Sequence, residues 1–282
     1  MNQFEKEYFE AESHWEGDML SDSFNTERIR ATSDLIPEDV SSLLDVGCGN
    51  GVFLNSLLAD RGDRMELMGV DRSHTALKYV KTNKKFGDIT SLEMDNDSFD
   101  CVTSLEVIEH LPVTVFNKAL SELARVSRKY IIVSVPYAEK LEDNFTRCPS
   151  CKTMFNRDLH MRTFSEDNFR NLFAIHGYTN VNIQKLGKIK TFAGHTEYRK
   201  IFFRREFFRW YSPLCPVCGF REKENIEIAN PVIPKKKNIF SYISAVPKFF
   251  WPKSTRCYWI LGLFEKTNQL VMIFCYSVLC SF

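Results

Sequence analysis

The chain has 282 residues, of which 44% are hydrophobic and 26% are charged, so it can bury a core and is not disordered as a whole. Its acidic first residues do not follow the pattern of a secretory signal peptide, and no segment reaches the roughly 20 apolar residues of a membrane-spanning helix. We therefore expect a cytoplasmic protein with one domain and an elaboration, or with two small domains.

The net charge of +1 hides an uneven distribution of charge. Residues 185–256 carry a net charge of +11, and the remainder of the chain carries −10. A basic C-terminal third favours an anionic partner, such as a small phosphorylated molecule, nucleic acid or a membrane surface, and a solvated face is the alternative. The apolar tail at 270–282 predicts either a buried end or peripheral contact with a membrane.

Strand-like and helix-like patterns alternate along the chain from residue 42. This alternation predicts a parallel sheet with helices on both faces, interrupted by insertions at 136–164 and 187–256. Ser165 and Gly177 are typical cap and stop residues of a helix. Predicted strands lie at 42–47, 65–71, 99–106, 130–136, 180–186 and 257–265, and predicted helices at 51–60, 74–83, 115–126 and 164–178.

The segment DVGCGNG at 45–51 joins the first strand to the first helix of this pattern. Its three alternating glycines let the backbone turn sharply and approach a ligand, and the helix amides that follow favour negative or polar ligand groups. Asp71 ends the next strand, where an acid can accept hydrogen bonds from ribose hydroxyls. The pattern predicts a cofactor that contains a nucleoside, with a glycine spacing unlike that of dinucleotide folds.

Five motifs resemble those of class I S-adenosylmethionine-dependent methyltransferases: LLDVGCGNG, VDRS, GDI at 87–89, DNDSFDCVTSLEVIEHL and RTFSEDNFRNLFAIHGY. The resemblance covers residues 40–186 and a last strand at 257–266. It implies an α/β, Rossmann-like, seven-stranded sheet with helices on both faces, and S-adenosyl-L-methionine as the cofactor. The implied cofactor-binding residues are Asp45, Gly47, Cys48, Gly49, Gly51, Asp71, Arg72, Asp88, Ile89 and Leu105.

The same resemblance divides the chain into four parts. Residues 1–40 form an N-terminal lid or helical segment, 41–186 the methyltransferase core, 187–256 a basic insertion, and 257–282 the last core strand with the apolar tail. Candidates for a lid over the cofactor are Tyr8, Phe9, His14 and Trp15. An ordinary packed N-terminal helix is the alternative.

The stretch SLEVIEHL places Glu106, Glu109 and His110 just after a strand. In a helical turn they share one face, where they can bind a divalent cation or supply a general base. Ubiquinone-biosynthesis O-methyltransferases and small-RNA 3′-terminal 2′-O-methyltransferases resemble this chain in their E-x-x-E-H motif. That resemblance implies Mg²⁺ beside the acceptor hydroxyl, with His160 as a further ligand. Otherwise Glu106 only contacts the cofactor, and His110 acts as a base or packs.

Two C-x-x-C pairs, Cys148 with Cys151 and Cys215 with Cys218, predict one structural Zn²⁺ site with four thiolates. Free buried thiols and a redox dithiol are the alternatives. Such a site would tie the two insertions together over the acceptor side. It would bring the following close to the acceptor cleft: His160, Arg162, His195 and the basic aromatic run 198–211, whose aromatic residues pack inward in the alternative reading.

These observations predict a methyltransferase that acts on an oxygen, or secondarily a nitrogen, of a small anionic, saccharide or secondary-metabolite acceptor. His110 and His160 are the predicted catalytic residues, which assist deprotonation of the acceptor. One alternative is an RNA 2′-O-methyltransferase that uses the E-x-x-E-H metal site and a basic track for the nucleic acid. Another is a zinc-stabilised scaffold that binds the cofactor without catalysis.

Overall fold

A computed structural model describes residues 3–15, 23–192, 215–220 and 253–267. The basic aromatic run, His195 and the apolar tail lie outside these residues, as does the side chain of His14. The helices are α1 Gln3–Glu10, α2 Glu12–Trp15, α3 Ser23–Asp34, α4 Val52–Arg61, α5 His74–Leu77, α6 Val113–Val126 and α7 Glu166–Arg170. The strands are β1 Ser42–Val46, β2 Glu66–Asp71, β3 Asn83–Phe86, β4 Phe99–Leu105, β5 Ser127–Pro136, β6 Phe145–Arg147, β7 Met154–Asn156, β8 Tyr178–Phe192 and β9 Lys253–Lys266.

Seven of these strands form one sheet in the order β3-β2-β1-β4-β5-β9-β8, which confirms the predicted Rossmann-like fold. Strands β1 to β5 are parallel, whereas β9 runs antiparallel to both β5 and β8. The sheet is therefore mixed, not wholly parallel as the alternation of elements predicted. Helices pack on both faces, because successive residues of a strand point to opposite sides. Leu43 packs in the core cluster that holds Leu54 of α4, and Leu44 in the cluster that holds Leu123 of α6.

Two predicted helices are shorter than expected. Helix α5 ends at Leu77, and Asn83–Phe86 form the edge strand β3, which the sequence did not reveal because its side chains are mostly polar and exposed. Helix α7 begins as predicted, since the Ser165 hydroxyl accepts a hydrogen bond from the Asn168 amide. It ends at Arg170, however, and a short 3-10 turn leads to Gly177, which has the left-handed φ of 80° that the stop signal predicted.

The predicted insertion at 136–164 contains a small hairpin made of β6 and β7. Strand β8 continues to Phe192 and β9 starts at Lys253, so their pairing extends beyond the predicted limits of the core at 186 and 257. No helix in the described ranges is long and apolar enough to cross a membrane. The carboxyl ends of β1, β2 and β4 meet at one edge of the sheet, where ligands of open α/β sheets bind.

Candidate active site

A cavity opens at this edge of the sheet. Its walls come from the glycine loop, the ends of β2 and β4, the SLEVIEHL turn and the N-terminal helices. Predicted cofactor residues that line it are Gly47, Asp71, Arg72, Asp88 and Ile89, and it also exposes Glu106 and His110. Lining residues that the motifs did not identify as cofactor contacts include Phe9, Trp15, Gly87, Thr90, Val107 and Val115.

Asp71 anchors the glycine loop from the end of β2. Its carboxylate accepts hydrogen bonds from the backbone amides of Gly49 and Ser73, both at 2.8 Å. Burial raises the pKa of Asp71, although these two amides act in the opposite direction. Each carboxylate oxygen can accept a further hydrogen bond, as the binding of ribose hydroxyls would require, and Asp71 lines the cavity.

The glycines of the loop are needed for space as well as for conformation. Gly47 has a φ of 78°, and a Cβ there would lie 2.4 Å from the Val107 side chain. Gly49 has a φ of 53°, and a Cβ there would lie 2.7 Å from the Trp15 ring. The loop is therefore in direct contact with both the SLEVIEHL turn and the N-terminal segment.

Five of the predicted cofactor residues lie outside the cavity lining: Asp45, Cys48, Gly49, Gly51 and Leu105. Asp45 is buried beneath the loop and accepts a 2.6 Å hydrogen bond from the Thr103 hydroxyl. Burial raises the pKa of Asp45 to about 7. Cys48 fills the space left by Gly69, where a Cβ would lie 2.7 Å from the Cys48 sulfur. In the structure the side chains of Asp45 and Cys48 pack against β4 and β2, respectively, and stabilise the loop.

Helices α1 and α2 cover the cavity. The Phe9 ring lies 4.9 Å from the Arg72 guanidinium and 5.9 Å from the His110 ring. Glu10 accepts hydrogen bonds from the backbone amides of His74 and Thr75 at the start of α5. Of the residues that the sequence marked as a lid, Phe9 and Trp15 line the cofactor cavity and Tyr8 does not.

The SLEVIEHL turn separates its two carboxylates. Glu106 has a left-handed φ of 59°, which is uncommon for a residue with a Cβ. Its carboxylate accepts hydrogen bonds at 2.8 Å from the Ser134 hydroxyl and from the Trp259 indole. Glu106 is thus held against the sheet, and the group of side chains that can share an ion does not include it.

That group consists of Glu109, His110 and His160, whose ligand atoms lie within 4.8 Å of one another. Glu109 is fully buried, and neither of its carboxylate oxygens has a hydrogen-bond partner among the described residues. Nδ1 of His110 is also buried without a partner in this part of the chain. Since buried polar atoms in proteins are nearly always paired, these atoms are arranged for a ligand or a proton.

The three members of the cluster differ in how their surroundings shift their pKa values. Burial raises the pKa of Glu109 well above its usual value, and nearby Glu106 raises it further. Burial and the neighbouring His160 lower the pKa of His110 to about 3, so its imidazole is neutral at physiological pH. The pKa of His160 is raised: burial lowers it, but the hydrogen bond and charge of Glu139 outweigh burial.

Glu139 and Arg28 are two site residues that sequence reasoning missed. Glu139 is 7% exposed and accepts a 2.5 Å hydrogen bond from Nδ1 of His160. Arg28 of α3 is also 7% exposed, stacks 5.4 Å from the Trp259 ring centre, and has a buried Nε without a partner among the described residues. Neither lies in a recognisable motif, and only the fold brings them to the site.

The four cysteines of the two C-x-x-C pairs converge at the tip of the β6–β7 hairpin. All four sulfurs lie within 4.8 Å of one another. Two sulfur–sulfur distances are 3.7 Å for Cys148 with Cys218 and 3.8 Å for Cys151 with Cys215. A tetrahedral ion with metal–sulfur bonds of about 2.3 Å places its sulfurs about 3.8 Å apart. The arrangement therefore fits a four-thiolate ion.

A family model described as a methyltransferase domain matches residues 22–183, which include the glycine loop and the SLEVIEHL turn. The chain belongs to this methyltransferase family. Among curated proteins, the ubiquinone biosynthesis O-methyltransferase of Coxiella burnetii is 33% identical over 95 residues, which are 31% of this chain and 40% of that protein. Its counterpart in Alkalilimnicola ehrlichii is 36% identical over 80 residues, or 25% of this chain and 31% of that protein. The matches thus span less than half of these relatives.

Solved structures confirm the fold of the methyltransferase. An S-adenosylmethionine-dependent methyltransferase from Archaeoglobus fulgidus superimposes with a TM-score of 0.51 at 16% identity, over 90% of this chain and 97% of that one. A methyltransferase in complex with the Trm112 activator of Haloferax volcanii has a TM-score of 0.51 at 19% identity, over 66% and 81% of the two chains. The predicted class I methyltransferase is confirmed in family and fold, and the family supports S-adenosylmethionine as the cofactor.

Proposed function

We propose that this methyltransferase transfers the methyl group of S-adenosylmethionine to an oxygen atom of a small anionic or saccharide acceptor. The observation that carries the proposal is the position of His110, which lines the donor cavity and also belongs to the buried cluster of Glu109 and His160. A methyl donor in the cavity would thus face side chains suited to activating a hydroxyl. The partial matches to ubiquinone O-methyltransferases support oxygen as the acceptor atom.

In the proposed reaction the acceptor oxygen attacks the sulfonium methyl carbon. The carbon–sulfur bond breaks with its electron pair on sulfur, and the acceptor gives up its hydroxyl proton. His110 is neutral at physiological pH and can accept this proton, with the charge of the nearby Glu139 carboxylate stabilising the imidazolium that forms. Phe9 and Trp15 line the cavity and would shield a bound donor from water. Most of the rate enhancement would come from the positioning of donor and acceptor.

The cluster also suits a divalent cation. In the part of the chain that the structure describes, both carboxylate oxygens of Glu109 and Nδ1 of His110 lack hydrogen-bond partners and are available as ligands, and His160 adds a second imidazole. A bound cation would lower the pKa of the acceptor hydroxyl, with His110 then acting as a ligand. Two imidazoles and one carboxylate favour Mn²⁺, Fe²⁺, Co²⁺ or Zn²⁺ over Mg²⁺, which prefers oxygen ligands. We therefore revise the predicted ligand set by removing Glu106 and keeping Glu109, His110 and His160.

Arg28 is our candidate for the carboxylate of the donor's methionine moiety. It is buried, and its positive charge lowers the pKa of Asp45 and of Glu109 against the larger effect of burial. Its Nε has no hydrogen-bond partner in the described ranges. A carboxylate ligand would supply that partner in a charge-assisted bond.

We assign Zn²⁺ to the four cysteines, on the basis of their sulfur–sulfur distances. The site has four protein ligands and is therefore closed, which is typical of structural zinc and leaves no position for a substrate. The ion would join Cys148 and Cys151 at the hairpin tip to Cys215 and Cys218 of the basic insertion.

The test incubates the purified full chain with S-adenosylmethionine labelled in its methyl group and an extract that supplies acceptors. Label is followed into small-molecule and RNase-sensitive fractions. His110→Ala should reduce transfer at least about 100-fold, because both proposed roles of the imidazole are lost. His176→Ala, which changes a histidine outside the cavity lining and outside the metal-binding cluster, is the control.

Label in the small-molecule fraction that resists mild alkali would support methylation of a hydroxyl, whereas a labile ester would assign the methyl group to a carboxylate. Label that RNase releases would assign the activity to RNA and overturn the proposed acceptor class. Binding of S-adenosylmethionine without transfer to any fraction would favour the non-catalytic scaffold.

A further inference from the structure

The cluster residue His160 has a partner of its own outside the cavity. Nδ1 of His160 donates to Glu139, and the two side chains are 8% and 6% exposed. Because Nδ1 is occupied, Nε2 is the nitrogen that His160 can offer to Glu109 and His110. The other oxygen of Glu139 accepts a 2.8 Å hydrogen bond from the side-chain amide of Asn144. Both oxygens of the carboxylate are therefore held in place.

The backbone on each side of this pair is in an uncommon conformation. Ala138, just before Glu139, has a φ of 47°, and Leu159, just before His160, has a φ of 60°. Residues with a Cβ are strained in the left-handed region, and such residues cluster at functional sites. Two of them beside the two partners of one hydrogen bond indicate that the geometry of the pair is what the surrounding structure maintains.

The hairpin β6–β7 supports the same pair. Asn156, at the end of β7, donates to the Leu141 carbonyl at 3.1 Å, and its own side-chain oxygen accepts from the backbone amide of His160 at 3.4 Å. The next residue along, Met161, donates its backbone amide to the Glu109 carbonyl at 2.8 Å. The hairpin therefore leads from the cysteine cluster at its tip to the SLEVIEHL turn at its base.

We propose that Glu139 is the positioning residue of His160: it holds Nε2 of the imidazole toward Glu109 and His110, and the hairpin between the two residues, whose tip carries the four cysteines, supports the pair. The inference rests on the cation site of the proposed function. Carboxylates that orient a metal-ligating histidine in this way strengthen metal binding, and their loss typically weakens it 10- to 100-fold.

The test measures binding of Mn²⁺ alone to the zinc-loaded full chain, by electron paramagnetic resonance of the free ion. Mn²⁺ is used because it binds oxygen and nitrogen ligands and leaves the thiolates to zinc. Glu139→Gln should weaken Mn²⁺ binding about 10- to 100-fold, and His160→Ala at least as much. Glu142→Gln, the same change at an exposed position three residues away, should have no effect.

A second measurement, of the tautomer of the His160 ring, does not depend on any metal. In the metal-free protein near pH 8, the ring nitrogens of His160 should show the Nδ1–H tautomer, and Glu139→Ala should shift the ring toward the Nε2–H tautomer. Affinity for S-adenosylhomocysteine serves as the folding check, since Glu139 does not line the donor cavity. It should stay within about twofold of the native value in both Glu139 variants.

Native Mn²⁺ affinity in Glu139→Gln, together with loss of binding in His160→Ala, would overturn the positioning role while leaving the cation site intact. An unchanged tautomer in Glu139→Ala would overturn it as well. If the native chain binds Mn²⁺ no better than His160→Ala does, the cation site itself is wrong and the inference falls with it. Label transfer from S-adenosylmethionine, measured separately, would still decide whether the methyltransferase proposal stands.

Discussion

At the scale of single residues, Asp71 is the clearest link between a motif and a contact. Sequence alone predicted an acid at the end of the second strand, and the structure adds that both of its oxygens hold backbone amides of the site. Asp71 therefore shapes the glycine loop as well as facing the cavity. An amide side chain in its place would direct its NH₂ group at one of these N–H groups.

We expect Asp71→Asn to weaken binding of S-adenosylhomocysteine at least about 100-fold, because one buried N–H loses its acceptor and the loop shifts. Asp88→Asn is the matched control. Asp88 uses one oxygen for both of its bonds to Thr90, so an asparagine can keep them, and we expect a loss of about tenfold or less. Isothermal titration calorimetry measures both variants, and equal losses would contradict the special role of Asp71.

At the scale of elements, the Glu10 side chain ties α1 to the start of α5. Its pKa is lowered: burial raises it, but the hydrogen bonds from Ser73, His74 and Thr75 together outweigh burial. A lowered pKa in the folded protein means that the docking contribution is complete above the ordinary pKa of a glutamate. The contribution is lost as the pH falls through the lowered value.

Glu10→Gln should therefore loosen the helices that carry Phe9 and Trp15 over the cavity. We expect S-adenosylhomocysteine to dissociate about tenfold faster, with a smaller change in the association rate. Glu12→Gln changes an exposed glutamate of α2 and should leave both rates unchanged. Stopped-flow fluorescence of the tryptophans can follow the exchange, and identical dissociation rates in the two variants would exclude α1 as a lid.

The hairpin β6–β7 is the second element whose behaviour can be predicted. With Zn²⁺ on the four cysteines, the native chain should hold one thiolate-bound zinc ion, and Cys151→Ser should lose it or bind it at least about 100-fold more weakly. Cys257→Ser, a cysteine of β9 outside the cluster, should keep the ion. Metal analysis gives the content. Hydrogen exchange at 145–156 should speed up only in Cys151→Ser, and equal zinc in both variants would refute the assignment.

At the scale of the whole molecule, Asp100 fastens the ends of three strands on the side of the sheet away from the site. It is 4% exposed, and its carboxylate accepts bonds from Ser41, Ser42 and Arg128. Burial raises the pKa of Asp100, but the contacts with Ser41 and Arg128 lower it by more. The resulting pKa lies far below the usual value of an aspartate. Its stabilising effect is therefore complete above the usual pKa of about 3.9 and is lost as the pH falls below it.

Asp100→Asn should lower the free energy of unfolding by about 2–3 kcal/mol near pH 7, because a buried charge-assisted network loses its acceptor. Asp97→Asn removes a half-exposed ion pair with Lys266 and should cost less than about 1 kcal/mol. Urea unfolding measures both. The difference between native protein and Asp100→Asn should shrink below about pH 4, and a difference that persists there would mean that the charge of Asp100 is not its source.

The local patterns were sufficient to predict most of the elements and the cofactor motif. Strands β1, β2, β4 and β5 and helices α4 and α6 follow from apolar runs and periodicity, because each buries a face whose spacing is visible in the sequence. Edge strand β3 buries almost nothing, and its pattern NKKF carries no such signal. The antiparallel direction of β9 was not predicted either, since the composition of one strand does not encode its pairing partners.

The sequence by itself determined the methyltransferase family, because the glycine loop, Asp71 and the E-x-x-E-H turn are contiguous motifs whose spacing is chemically constrained. Only the tertiary structure decided which side chains meet. It turned Glu106 toward Ser134 and Trp259, joined His160 to Glu109 and His110, and brought Glu139 from a segment with no motif at all. The physical reason is that these contacts join residues far apart in the chain, and the folded sheet and its hairpin bring them within bonding distance.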